Sequence, residues 1–222
     1  MSHTASSPST LISADRSAIL ARFHEIRAQS ETLAAPLAPE DQVVQSMPDV
    51  SPTKWHLAHI TWFFEQFLLG GLAGEEPYDP RFAYLFNSYY ETVGPRRPRP
   101  MRGLVTRPAL SEVRAYRRYV DQAMSDLLSG PAGDRPEVAD LLELGLAHEQ
   151  QHQELILMDV LHLFAQMPSR PAYRAISKTP AADPGPMNFV EFEGGLAWTG
   201  HDGAAFAGAL RMPARRWIVA IR

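Results

Sequence analysis

The 222-residue chain contains no cysteine. Its absence excludes disulfide scaffolds, thiolate metal sites and thiol nucleophiles. Long apolar runs are missing too: none approaches the ~18 residues that a membrane-spanning helix needs. Neither sign of charge is in marked excess, the formal balance being −4, so neither nucleic acid nor a membrane is expected as a partner. The opening MSHTASSPST has no basic stretch followed by an apolar one. It reads as a loose tail over residues 1–12 and not as a secretory signal. No repeat recurs at a solenoid period. Without thiols, the eight histidines are the only borderline-soft metal ligands, and the cytoplasm is the default compartment.

What is present fits a soluble, mainly α protein: 45% of residues are hydrophobic and 21% charged, as in ordinary globular chains. Four helices are expected over residues 13–167. The first starts at a Ser13 cap and carries Ile19, Phe23, Ile26 and Leu33 at helical spacing. Ser51-Pro52 opens the second, which runs through WHLAHITWFFEQFLL to Gly70-Gly71 and is apolar enough to be central. Ser111 caps the third, to about Ser129, with Val113, Tyr116, Val120 and Leu127 on one face. The fourth spans Val138 to Met167, its stripe read as Leu141, Leu144, Leu155, Ile156 and Leu163. Between the second and third, Leu72 to Ala109 holds six prolines, the aromatic cluster Phe82, Tyr84, Phe86, Tyr89 and Tyr90, and the basic run Arg96, Arg97, Arg99 and Arg102. A loop of that length with so many aromatics is expected to be functional, not disordered. Five prolines then mark a linker over 168–187, and NFVEFEGGLAWTG reads as a β-hairpin about a Glu-Gly-Gly turn, opening a second domain over 188–222.

The fourth helix carries His148-Glu149-Gln150-Gln151-His152. Two histidines four apart sit about 40° apart around a helix and roughly 6 Å apart along it, so both imidazoles can reach one metal ion. The second helix offers His56 and His59, and bundles build metal sites from side chains on different helices. His162 is roughly 21 Å along the helix from His148 and cannot share its metal; His24 reads as a surface residue. Three imidazoles leave open coordination positions, and their softness admits zinc, iron, copper or nickel. The same residues satisfy H-E-x-x-H, in which Glu149 would be the general base of a zinc protease. The continuation QELILMDV lacks the further ligand that such proteases require.

Three segments, DQVVQSMPDVSPTKWHLAHITWFFEQFLL, YLFNSYYETVGPRRPRPMRGLVTRP and HEQQHQELILMDVLH, resemble the ergothioneine-biosynthesis sulfoxide synthases of the EgtB type, also called hercynine oxygenases. The resemblance covers roughly Leu33 to Gly203. It implies a DinB-like four-helix bundle, the proline-rich linker, and the start of a domain like the formylglycine-generating enzyme. It also implies iron(II) held by His59, His148 and His152, which favours His59 over His56. The activity implied is the oxygen-dependent joining of cysteine or γ-glutamylcysteine to C2 of the imidazole of hercynine, with oxidation of the sulfur. Gln151 falls at a family position that contacts hercynine, and Arg96, Arg97 and Arg99 fall where the family binds the carboxylate of the thiol substrate. From about Phe206 the sequence departs from the family pattern. The family's catalytic tyrosine belongs to the part not matched, so this chain is expected to be a truncated form that binds iron(II) but makes little sulfoxide. A metal-dependent thiol transferase and a non-catalytic metal-binding module are the alternatives.

Overall fold

The computed structural model describes residues 8–88, 90–175, 183, 185–189, 195–199 and 215–219. Two compact units divide the chain, residues 1–173 and 174–222. The first is built on four long helices: α1 (Pro8–Ala34), α2 (Thr53–Phe64), α4 (Leu110–Ser129) and α5 (Pro136–Gln166), with the short α3 (Phe82–Phe86) in the long connection. Helix α1 packs on α4 and α5, and α2 packs on the same two. Each long helix thus has two neighbours in a closed ring, and the apolar stripes meet at its centre. Phe23, Trp55, Leu57, Phe63, Phe64, Phe86, Val113, Tyr116, Val120, Leu146 and Ile156 are buried in one core.

Several starts and stops differ from the sequence expectations. Helix α1 is already helical at Pro8, the first described residue, so Ser13 lies inside it and does not cap its start. Neither Ser51 nor Ser111 caps a helix. The Ser51 hydroxyl accepts from Arg102 Nη1 at 2.9 Å. Helix α4 starts at Leu110, where the Glu112 carboxylate accepts from the Ala109 N–H at 2.6 Å. The second helix does not stop at Gly70-Gly71. It widens into a π-helix over Glu65–Ala73 and ends at Gly74, whose φ of 73° suits glycine. On α5 the buried face is Val138, Leu142, Leu146, Glu149, His152, Ile156, Asp159 and Leu163. Leu144, expected in the core, is 41% exposed; a stripe phased on leucines misses that Glu149, His152 and Asp159 occupy part of the inward face.

The long connection packs against α2 and α4. Phe82 and Phe86 are buried, Tyr90 packs against Phe67 at 4.8 Å between ring centroids, and Arg99–Leu104 forms a 3-10 helix. Tyr84 is exposed, and Tyr89 is outside the described residues. After α5, the Tyr173 hydroxyl donates to the Leu33 carbonyl at 2.6 Å. In the second unit, β1 (Gly195–Thr199) pairs antiparallel with β2 (Arg215–Val219), Ala197 opposite Trp217. Of the expected hairpin's first arm, Asn188 and Phe189 are in no strand, and the rest of that arm with the start of the turn, residues 190–194, lies outside those described.

Candidate metal centre

The site is assembled where α2 and α5 cross. His59 on α2 and His148 and His152 on α5 each offer a ligand atom, and the three atoms lie within 4.8 Å of one another. His59 and His152 are buried and His148 is half-buried. Such a triad could hold a metal ion.

Each ring is held by different neighbours. His59 Nδ1 is 2.6 Å from the Phe86 carbonyl. A carbonyl only accepts, so Nδ1 carries the proton and Nε2 is left with its lone pair. The ring lies between Trp55 (4.5 Å, 16° between planes) and Trp62 (5.8 Å, 17°), which sit four residues before and three after on the same helix face. The Arg102 guanidinium caps this stack at 3.4 Å from the Trp55 ring and donates to the Ser51 and Ser88 hydroxyls. His148 packs on Phe63 at 5.0 Å, and its Nδ1 is buried without a hydrogen-bond partner among the described residues. A buried nitrogen left unpaired is costly in a folded protein, and a metal ion nearby is one way to meet that cost. His152 Nδ1 is 2.7 Å from Nδ1 of His56.

Burial holds His59 and His152 well below the ordinary histidine range, and burial lowers His148 to about 4. All three rings are therefore neutral at pH 7, the state in which imidazole binds a metal. Three borderline-soft nitrogens suit a divalent transition metal such as iron(II) or zinc.

Glu149 takes no part in this face. It is fully buried and accepts from Arg27 Nη1 (2.9 Å), Ser30 Oγ (2.6 Å) and Arg117 Nη2 (3.2 Å). Burial alone would raise its pKa, but the two guanidiniums more than offset that and hold it below the ordinary range. A carboxylate locked into that network cannot serve as the base of a zinc protease, so the H-E-x-x-H match is a coincidence of spacing.

The proposed substrate contacts are scattered. Gln151 is exposed on α5. Arg96 is exposed and 3.4 Å from Glu91. Arg97 and Arg99 are half-buried, reaching the Met101 carbonyl and the Asp49 carbonyl. Of the remaining histidines, His24 is exposed beside Ser125, and His162 meets the Ser46 hydroxyl at 2.8 Å. His3 and His201 are outside the described residues. Sequence reasoning named Arg102 only as part of the loop's basic run, and it passed over Asp159 and the Phe86 carbonyl. Asp159, seven residues beyond His152 on the same face, was the legible one of the three.

The sequence profile of the DinB superfamily matches residues 22–156, more than half of the chain and all three triad histidines. The chain belongs to the DinB superfamily, whose domains often bind metal. No curated protein matches it. No helix among the described residues is long and apolar enough to cross a membrane.

Proposed function

We propose that the chain holds iron(II) at His59, His148 and His152 and serves the oxygen-dependent joining of hercynine to cysteine or γ-glutamylcysteine, the chemistry of the family its motifs resemble. The observation that carries this reading is the convergence of three neutral imidazoles from two helices. The engagement of Glu149 elsewhere weighs against hydrolysis, the other chemistry that the motif suggests. When bound, iron(II) would supply a template on which imidazole, thiolate and oxygen meet and a route for electrons to oxygen. Forming the C–S bond and oxidising the sulfur each remove two electrons. One O2 balances both, placing one oxygen atom on sulfur and the other in water.

The protein's own part is to bind, orient and exclude solvent. The Trp55–His59–Trp62 stack fixes one ligand and makes an apolar wall. Gln151, exposed beside the triad's helix face, would hydrogen-bond the hercynine imidazole. Arg96, Arg97 and Arg99 would hold the thiol's carboxylate, for which a guanidinium is well shaped. Replacing any of these four by alanine is expected to leave iron affinity unchanged. Q151A should then weaken hercynine binding and the arginine variants thiol binding, as calorimetry on the iron-loaded chain would read.

The test begins with anaerobic titration of iron(II). One equivalent bound, and lost in His59→Ala, supports the site; no binding removes the reading. Addition of hercynine should then change the spectrum of the bound metal, and an unchanged spectrum would leave only a metal-binding module. Aerobic incubation with each thiol, followed by mass spectrometry, looks for the sulfoxide. Transfer of a thiol without oxygen would assign the chain to the metal-dependent thiol transferases.

A further inference from the structure

Behind the triad, two buried side chains form a line that ends on one of the ligands. Asp159 Oδ2 is 3.0 Å from His56 Nε2, and His56 Nδ1 is 2.7 Å from His152 Nδ1. Asp159, His56 and His152 are each no more than 7% exposed, so water does not compete for these bonds. Asp159 Oδ2 also accepts from the Ser51 N–H at 2.9 Å, which anchors it to the start of α2. Asp159 Oδ1 meets no donor among the described residues, so within them the carboxylate acts through one oxygen. His148, His152 and Asp159 occupy one face of α5 because offsets of four and eleven residues are both close to whole turns. His56 enters from α2, one turn before His59.

The proton positions along this line follow from the end that cannot vary. A carboxylate accepts and does not donate, so His56 carries its proton on Nε2. His56 Nδ1 is then the acceptor, and the proton between the two rings belongs to His152 Nδ1. His152 Nε2 is left with its lone pair. We infer that Asp159 and His56 are positioning residues that hold His152 in the Nδ1–H form, with Nε2 presented to the metal. The Phe86 carbonyl does the same for His59 directly. Hydrogen bonds behind metal-bound histidines fix the ring and raise its basicity, and their loss commonly lowers metal affinity 10–100-fold. Here a second histidine is interposed because Asp159 lies about two turns along the helix from His152, beyond direct reach. This inference rests on the metal reading proposed above.

The tautomer can be read without any metal. In the full-length metal-free chain, labelled with 15N-histidine at pH 7.5, long-range 1H–15N correlation spectra distinguish the two neutral forms. His152, assigned by the signals lost in His152→Gln, is expected as the Nδ1–H form. An Nε2–H form would overturn the inference whatever the metal does. The second arm measures zinc(II) affinity against a chromophoric chelator and the visible spectrum of bound cobalt(II). His56→Leu removes the acceptor and is expected to weaken zinc 10–100-fold and alter the cobalt bands. His56→Asn places an oxygen near the position of Nδ1 and is expected to stay within a few-fold of wild type. A merely structural role would lower the melting temperature of the leucine variant while leaving the cobalt spectrum of the folded protein unchanged. Equal zinc affinities for the two variants would also overturn the inference. Should the leucine variant fail to fold, the wild-type tautomer and the asparagine variant still decide. Wild-type protein that takes up no metal would defeat the metal reading, whereas normal uptake with the Nε2–H form would defeat this inference alone.

Discussion

An imidazole binds a metal only through an unprotonated nitrogen, and in this protein burial secures that state before any metal arrives. The same burial carries a cost that acid reveals. His148 has an ordinary value near 6.5 when unfolded and about 4 when folded. Between those values the unfolded chain binds more protons, so stability is full above about pH 6.5 and falls as pH drops toward 4. The loss from this ring amounts to no more than about 3 kcal/mol, and less once solvent screening at its partly exposed edge is allowed for. Urea midpoints of the metal-free chain at pH 7.5 and pH 5 should show it, and the drop should shrink in His148→Gln. A second expectation separates the histidines by place: His59→Ala should abolish tight metal binding, whereas His162→Ala should leave it within about twofold. His162 bonds to Ser46 and stands more than three turns beyond His148 along α5.

Two helices must come close for histidines 89 residues apart in sequence to share an ion, and a glycine permits it. A Cβ on Gly145 would come within 2.6 Å of Phe64 Cε1 and 3.0 Å of Phe63 Cε1. Both rings are buried, so neither can swing aside into solvent. Gly145→Ala should therefore push α5 away from α2 and destabilise the fold by about 1–3 kcal/mol, although alanine is the better helix former. Because His148 stands one turn further on and packs on Phe63, metal affinity should fall as well. Thermal unfolding and zinc titration on the same variant check the two effects. An alanine variant as stable as wild type would show that the helices have room to spare. The π-helix after Phe64 has its own role: Glu65 within it accepts from the Tyr116 hydroxyl at 2.5 Å and the Tyr78 N–H at 2.7 Å, tying α2 to α4 and to the long connection.

Across the whole bundle, one carboxylate joins all four long helices. Glu149 on α5 binds Arg27 and Ser30 from α1 and Arg117 from α4. Both arginines also donate to Thr61 on α2. Arg27 continues to Asp121 at 2.6 Å and Arg117 to Glu31 at 3.0 Å. Two guanidiniums buried to 2% exposure would lose their central anion in Glu149→Gln. Breaking a buried charge network from one side costs on the order of 3–5 kcal/mol, so this variant should unfold at much lower urea. The measurement bears on chemistry too. A protease base replaced by glutamine would leave stability nearly intact and remove activity, whereas a structural anion does the reverse.

By itself the sequence determined the elements and the ligand types. Proline placement, helical periodicity and the absence of cysteine were enough for a helical bundle carrying histidine ligands, since these follow from local sterics and side-chain chemistry. The four-residue step from His148 to His152 was equally legible, because helix geometry alone puts both on one face. The tertiary structure decided what depends on distant partners. The missing third ligand already weighed against a protease in the sequence, but what Glu149 does instead became visible only when Arg27 and Arg117, 122 and 32 residues away, were seen to claim it. By helix spacing alone His56 and His59 were equivalent, and only the family resemblance favoured His59; packing supplied the physical reason, giving His59 the Phe86 carbonyl and the two tryptophans and His56 to Asp159 and His152. Leu144 counted as core by period and proved exposed, because the face turned inward was the one carrying Glu149, His152 and Asp159. Burial of polar groups is worthwhile only when partners meet them there, and those partners are assembled by the fold.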